Sequence, residues 1–220
     1  ILVMHHIISD GWSMGVMLRE LTVLYNAAVL GDLSPLRPLE IQYADFAAWQ
    51  RERFSDKWLA RQLDYWGNRL AGAPPLELPT DRPRPAAPSF EGATRPLRFS
   101  RSLSDRTDRL ARQEETTPFV VLLTALKVLL SRYCRQTDVT VGTATANRTR
   151  PEREGLIGVF VNTLVLRTDL SGEPSFREAI ARVHETMIGA HAHQELPLEK
   201  LVEQLGQQRN GARSPLFTVS

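Results

Sequence analysis

The chain has 220 residues, 42% of them hydrophobic and 24% charged, an ordinary balance for a globular protein that buries one sizeable core or two small ones. Its 27 basic and 25 acidic residues leave a net charge of +2, with the two signs interspersed, so composition gives no support to a nucleic-acid partner. The single cysteine, Cys134, excludes an internal disulfide framework and a cysteine-based zinc site and points to a reducing cytoplasm, and no apolar run reaches the ~18 residues of a membrane span.

Ile1-Leu2-Val3-Met4 is a short, apolar, β-branched run, expected to form a strand buried on both faces. His5 and His6 follow it, and Asp10-Gly11 breaks it. From Trp12 the apolar positions change period. Met14, Met17, Leu18, Leu21, Leu24, Tyr25 and Ala28 recur at three- and four-residue spacing, which predicts an amphipathic helix. Two histidines thus leave a strand and an acid stands at the mouth of a helix, where unpaired N–H groups and the positive dipole end collect. Imidazole is the side chain best suited to exchange a proton near neutral pH. Successive strand side chains point to opposite faces, so only one of the two histidines is expected to do chemistry.

Gly31-Asp32, Pro35 and Pro38 stop this helix and turn the chain. A second helix is predicted over residues 41–52. A third, capped by Ser55 or Asp56, runs to about Leu70 with Leu59, Leu63, Trp66 and Leu70 on one face. Three of the four tryptophans lie in these two helices, and an aromatic stripe at helical spacing reads as core. Six prolines between Pro74 and Pro88 preclude a helix and predict an extended crossover over 73–92.

Residues 94–100 alternate as a half-exposed strand should, with Leu97 and Phe99 on one face. Ser104 is expected to cap a short charged helix. Thr117-Pro118 then starts a helix through Tyr133 whose apolar residues fall on nearly every face, as in a buried helix. Strands are predicted over 138–143 and 159–166, joined by a polar loop over 147–155 that by itself reads as a solvated turn. A helix over 175–193 and another from near Pro197 follow, and the chain ends in an expected strand.

His5, His6 and Asp10 have the ligand types of a two-His-one-carboxylate metal site, and His191 and His193 form another close pair. Adjacent strand histidines diverge, and so do helical positions two apart, so no metal is expected.

His5-His6-x-x-x-Asp10-Gly11 resembles the HHxxxDG motif of the condensation domains of nonribosomal peptide synthetases, and DGWSMGVMLREL is most similar to the subtype that joins an L-configured donor to an L-configured acceptor. YADFAAWQRE, LDYWGNRLAG, PPLELPTDRPRP, VGTATANRTRPEREGLIGVFVNTLVLR, HQELPLE and RSPLF resemble later segments of the same family. HQELPLE departs from the family's form by a Glu for an Asp and by Leu198 for an aromatic residue.

The resemblance implies an α/β, two-lobed, V-shaped pseudo-dimer of the chloramphenicol-acetyltransferase type. It covers about the second half of the family's domain, so most of the N-terminal lobe is expected to be missing and the piece alone inactive. Residues 1–72 would belong to the N-terminal lobe, 73–92 to the crossover and 93–220 to a truncated C-terminal lobe.

The implied reaction is amide formation between two thioesters, a donor and an aminoacyl acceptor, presented on the 4'-phosphopantetheine arms of carrier proteins. Upstream and downstream carrier domains and an adenylation domain would be its partners, and no cofactor binds directly. His6 takes the catalytic position, as general base or orienting group. His5, Asp10, Gly11 and Arg148 support it, with Asp10 expected in a buried ion pair with Arg148 that ties the corner of one lobe to the loop of the other. A non-catalytic recruiting domain, or a related acyltransferase that forms an ester, is the alternative.

Overall fold

A computed structural model describes residues 1–82, 92–205 and 216–220. The crossover residues 83–91, and residues 213–215 of the RSPLF segment, lie outside the described residues. The chain's contacts group into two units, each assembled from two stretches: residues 1–62 with 144–162, and residues 63–143 with 163–220.

In the first unit, helix α1 (Gly11–Leu30) starts at Asp10, whose carboxylate accepts the Ser13 amide, and ends at Gly31, whose φ of 76° suits a residue without a Cβ. Helix α2 (Tyr43–Arg53) opens with a capping box between Gln42 and Asp45. Phe46 of α2 packs on Leu156 and Phe160, with Ile41, Tyr43 and Trp49 around them. The 147–155 loop is therefore no solvated turn: Asn147 and Arg153 are buried, and Pro151–Arg153 form a single 3-10 turn.

The apolar start departs from expectation. Residues 1–4 form no strand, and Ile1, Leu2 and Val3 are exposed. A strand needs a neighbour for its N–H and C=O groups, and among the described residues nothing runs beside them. The predicted apolar face of α1 is likewise uncovered at Met14, Leu18, Leu21, Leu24 and Tyr25, while Ser13, Val16 and Ala27 are its buried positions.

Helix α3 (Asp56–Leu70) carries the chain from the first unit into the second, with Trp66 and Leu70 buried as its periodicity predicts. Helix α4 (Arg101–Gln113) is capped by Ser100 rather than Ser104, so it begins four residues earlier than expected. Residues 94–100 just before it are irregular, with Leu97 and Phe99 exposed, because they too lack a pairing strand among the described residues.

Helix α5 (Pro118–Cys134) starts at Thr117-Pro118 as predicted. It is not buried all round: Phe119, Leu122, Leu126, Leu129 and Tyr133 form one exposed stripe, and Val120, Val121, Leu123, Thr124, Lys127 and Leu130 face inward. Strands β1 (Asp138–Thr145) and β2 (Asn162–Asp169) pair, and the Leu170 amide bonds the Thr137 carbonyl at 2.8 Å, so the end of β2 meets the start of β1. β2 begins three residues later than expected, because 159–161 are held by side chains rather than by a ladder.

Helix α6 (Phe176–Ala192) opens with a Ser175–Glu178 capping box and packs on α5, and helix α7 (Leu198–Gln204) follows Pro197. The last residues form no strand. One bond, from the Gly142 amide to the Val219 carbonyl at 2.8 Å, lays them on β1, with the Phe217 ring in the space a Cβ on Gly142 would need.

Candidate active site

Asp10 closes the turn that carries the two histidines and opens α1. It is 4% exposed. Its Oδ1 accepts the Ser13 amide at 2.9 Å, the Ser13 hydroxyl at 2.7 Å and Arg148 Nη2 at 3.1 Å. Its Oδ2 accepts the amides of Phe160 at 3.0 Å and Val161 at 3.2 Å. Burial by itself raises the carboxyl, but the Ser13 side-chain and backbone bonds, the Phe160 amide and the Arg148 charge outweigh it and hold the group at about 2. Such a carboxylate stays ionised at neutral pH, so it anchors the corner and does not carry protons.

The expected Asp10–Arg148 pair is present and buried, with side chains 3% and 1% exposed respectively. Both residues belong to the first contact unit. Arg148 does more than pair: Nη1 donates to the carbonyls of Arg153 and of Leu156, the latter at 2.8 Å, and the guanidinium lies 4.1 Å from the centre of the Phe160 ring.

The stretch from Arg153 to Val161 pairs with no strand among the described residues, yet side chains hold its main chain along its length. The Trp12 indole N–H donates to the Glu154 carbonyl at 2.9 Å, and the Tyr43 hydroxyl to the Val159 carbonyl at 2.9 Å. Ser13 Oγ meets both the Gly158 carbonyl, at 2.8 Å, and the Gly158 amide, at 3.1 Å. A Cβ on Gly158 would stand 2.0 Å from the Tyr43 ring, so glycine is required for this approach. Sequence reasoning missed Ser13, Tyr43 and Gly158. The DGWS and GLIG stretches stand out in the sequence by family similarity alone, and nothing in either signals the 145-residue contact between them.

His5 and His6 are both exposed and lie in a turn, not at a strand end. That turn is local: the Ile8 amide bonds the His5 carbonyl at 3.2 Å, and His5 Nδ1 accepts the Ile7 amide at 3.0 Å. His5 is thus engaged with its own turn, leaving His6 as the histidine with no bond inside it. Gly11 has open space where a Cβ would stand. His191 is exposed, and His193 stacks on Tyr65 with ring centres 3.8 Å apart, so these two do not converge on a common point.

The condensation-domain family model matches residues 1–220. A component of the linear gramicidin synthase of Brevibacillus parabrevis is 53% identical over 218 residues, which are 99% of this chain and 4% of that protein. Chondramide synthase cmdD of Chondromyces crocatus is 47% identical over 219 residues, the whole of this chain and 6% of its own length. Among solved structures, the X-domain from teicoplanin biosynthesis superposes with a TM-score of 0.87 at 34% identity, over 97% of this chain and 49% of that one. A four-domain nonribosomal peptide synthetase bound to AMP and glycine gives 0.83 at 27% identity, over 95% and 16%.

The chain therefore spans about half of a solved X-domain and a few per cent of the synthetases it matches. Its helices and strands are those of the two-lobed, chloramphenicol-acetyltransferase-like fold expected from the sequence. A family model running from the first residue to the last, and a relative identical at more than half the positions, make this chain a member of the condensation-domain family.

Proposed function

We propose that the polypeptide carrying this chain forms amide bonds in nonribosomal peptide biosynthesis, joining a carrier-bound aminoacyl or peptidyl thioester to a carrier-bound aminoacyl acceptor. The observation that carries the reading is the family match over residues 1–220 with His5-His6-x-x-x-Asp10-Gly11 intact. Both substrates arrive on 4'-phosphopantetheine arms, so the partners are the upstream and downstream carrier domains and an adenylation domain of the same cytoplasmic assembly line. Residues 1–72 and 93–220 contribute to the two lobes and 73–92 to the crossover.

The acceptor amine attacks the thioester carbonyl. A C–N bond forms, the C–S bond breaks, and the thiol leaves with the proton that the amine gives up. His6 is the residue that receives or orients that proton, a role typically worth ~10²–10⁴-fold. A thioester is already activated, so orientation of the amine supplies much of the rate. Asp10 and Arg148 hold the corner from which the His6 turn projects, His5 shapes the turn, and Gly11 leaves room beside it. DGWSMGVMLREL favours L-configured donors and acceptors.

The test is dipeptidyl-carrier formation by the whole native polypeptide. His6→Ala should lose at least about a hundredfold in turnover while still docking loaded carriers. Near-native turnover would remove His6 from the reaction. One observation favours a second reading, in which this chain recruits a partner and forms no amide: among the similar solved structures is an X-domain in complex with OxyB. Wild-type protein that binds a partner enzyme yet never forms the amide would select that reading.

A further inference from the structure

We infer that Ser13 is a positioning residue for the chemistry at His6, coupling the Asp10 corner to the main chain of Gly158 through one buried hydroxyl. The inference rests on the proposed reaction. Ser13 is 0% exposed and is the third residue of α1. Four polar atoms converge on its Oγ: the acceptors Asp10 Oδ1 at 2.7 Å and Gly158 O at 2.8 Å, and the donors Arg148 Nη2 at 3.0 Å and Gly158 N at 3.1 Å. A hydroxyl has two lone pairs and one proton. The two donors fill the lone pairs, and the proton is shared between carboxylate and carbonyl.

This differs from a buried hydroxyl that merely satisfies itself. Thr124, also 0% exposed, donates to the Val120 carbonyl of its own helix at 2.7 Å. Ser13 joins two stretches far apart in sequence: the corner after His6, and the segment that bears both Arg148 and Gly158. The His6 turn has only its own local bonds, and the first buried residues after it are Ser9 and Asp10. Where that turn sits follows from where Asp10 sits, and Ser13 grips Asp10 through both its amide and its hydroxyl.

Removing the hydroxyl takes the shortest bond from Asp10 Oδ1 and leaves the Gly158 amide without its partner. A shift of about 1 Å at a reacting group costs on the order of a hundredfold in rate. Because Ser13 also lowers the Asp10 carboxyl, its loss lets Asp10 take up a proton at higher pH.

The experiment measures dipeptidyl-carrier formation by the whole polypeptide for Ser13→Ala, Ser13→Cys and, in parallel, His6→Ala. Ser13→Ala should lower kcat by about tenfold to a hundredfold with KM for the loaded carriers unchanged. Ser13→Cys, which keeps a side-chain donor, though a weaker and bulkier one, should fall between Ala and Ser, and it decides the matter if the alanine variant does not fold. Wild-type kcat in either folded variant, or a loss confined to KM, overturns the inference while His6→Ala remains inactive. Full turnover by His6→Ala instead overturns the reaction assigned to His6, and the positioning role with it.

Discussion

Asp10 stays ionised in near-complete burial because two amides, one hydroxyl, one guanidinium and the helix-opening Ser13 amide share its two oxygens. Removing one member of such a pair strands the other charge, which typically costs ~3–5 kcal/mol. Asp10→Asn and Arg148→Ala should each lose stability on that scale, and the double variant should lose far less than their sum. Urea denaturation of the four proteins checks this, and additive losses would break the coupling. The sign with pH is also fixed. A carboxyl near 2 in the folded chain and at its ordinary 3.8 when unfolded contributes its full stabilisation above about 3.8 and loses it as pH falls through about 2. That contribution is about 2 kcal/mol, and Asp10→Asn should lack this acid step.

Among elements, the run from Arg153 to Val161 has the burial alternation of a strand without a ladder: Leu156, Gly158 and Phe160 are buried and Ile157 and Val161 exposed. Tyr43 is fixed against it by its hydroxyl bond to Val159 and by an edge-on contact with Phe160, ring centres 5.2 Å apart. A methyl on Gly158 meets a ring that cannot yield, so Gly158→Ala should destabilise by about 1–3 kcal/mol. In a Tyr43→Leu background the same change should cost much less; an equal cost would show that the ring is not the obstacle. The helices are legible in the sequence because capping signals such as Asp10, Thr117-Pro118 and Ser175 act within a few residues. Strands expected at 1–4 and 94–100 do not form because pairing is not a local property, and the face of α1 stays uncovered because periodicity says only which residues share a side. Arg148 is legible as the partner of Asp10 through charge and family resemblance. The hydroxyls of Ser13 and Tyr43 are not, since any helix start or aromatic stripe carries such residues.

At the scale of the whole molecule, stability against pH has an alkaline feature set by Lys127. This side chain is 0% exposed, and its Nζ lies 2.6 Å from the Leu166 carbonyl, 3.2 Å from the Val139 carbonyl and 2.9 Å from the Thr168 hydroxyl. It staples β1 and β2 from α5. Burial, with the charge of Arg69 adding to it and that of Asp138 opposing, lowers the ammonium from 10.5 to about 7. Between those values the unfolded chain binds a proton that the folded chain does not, so stability rises as pH goes from about 7 to about 10.5 and is level beyond. The rise amounts to a few kcal/mol, at about 1.4 kcal/mol per unit. The neutral amine keeps the network: it donates to the two carbonyls and accepts from Thr168, whose oxygen also meets Thr186 at 3.1 Å. Other groups act elsewhere or in the opposite sense. Burial lowers His193 from 6.5, which adds a rise below this window, and raises Cys134, Tyr43 and Tyr65, whose contributions fall off on the alkaline side. Comparison with Lys127→Met removes those shared contributions. The difference between wild type and variant in urea midpoint should grow in favour of wild type from pH 7 to pH 10, and a difference that stays constant over that range would mean that Lys127 remains an ammonium inside the fold.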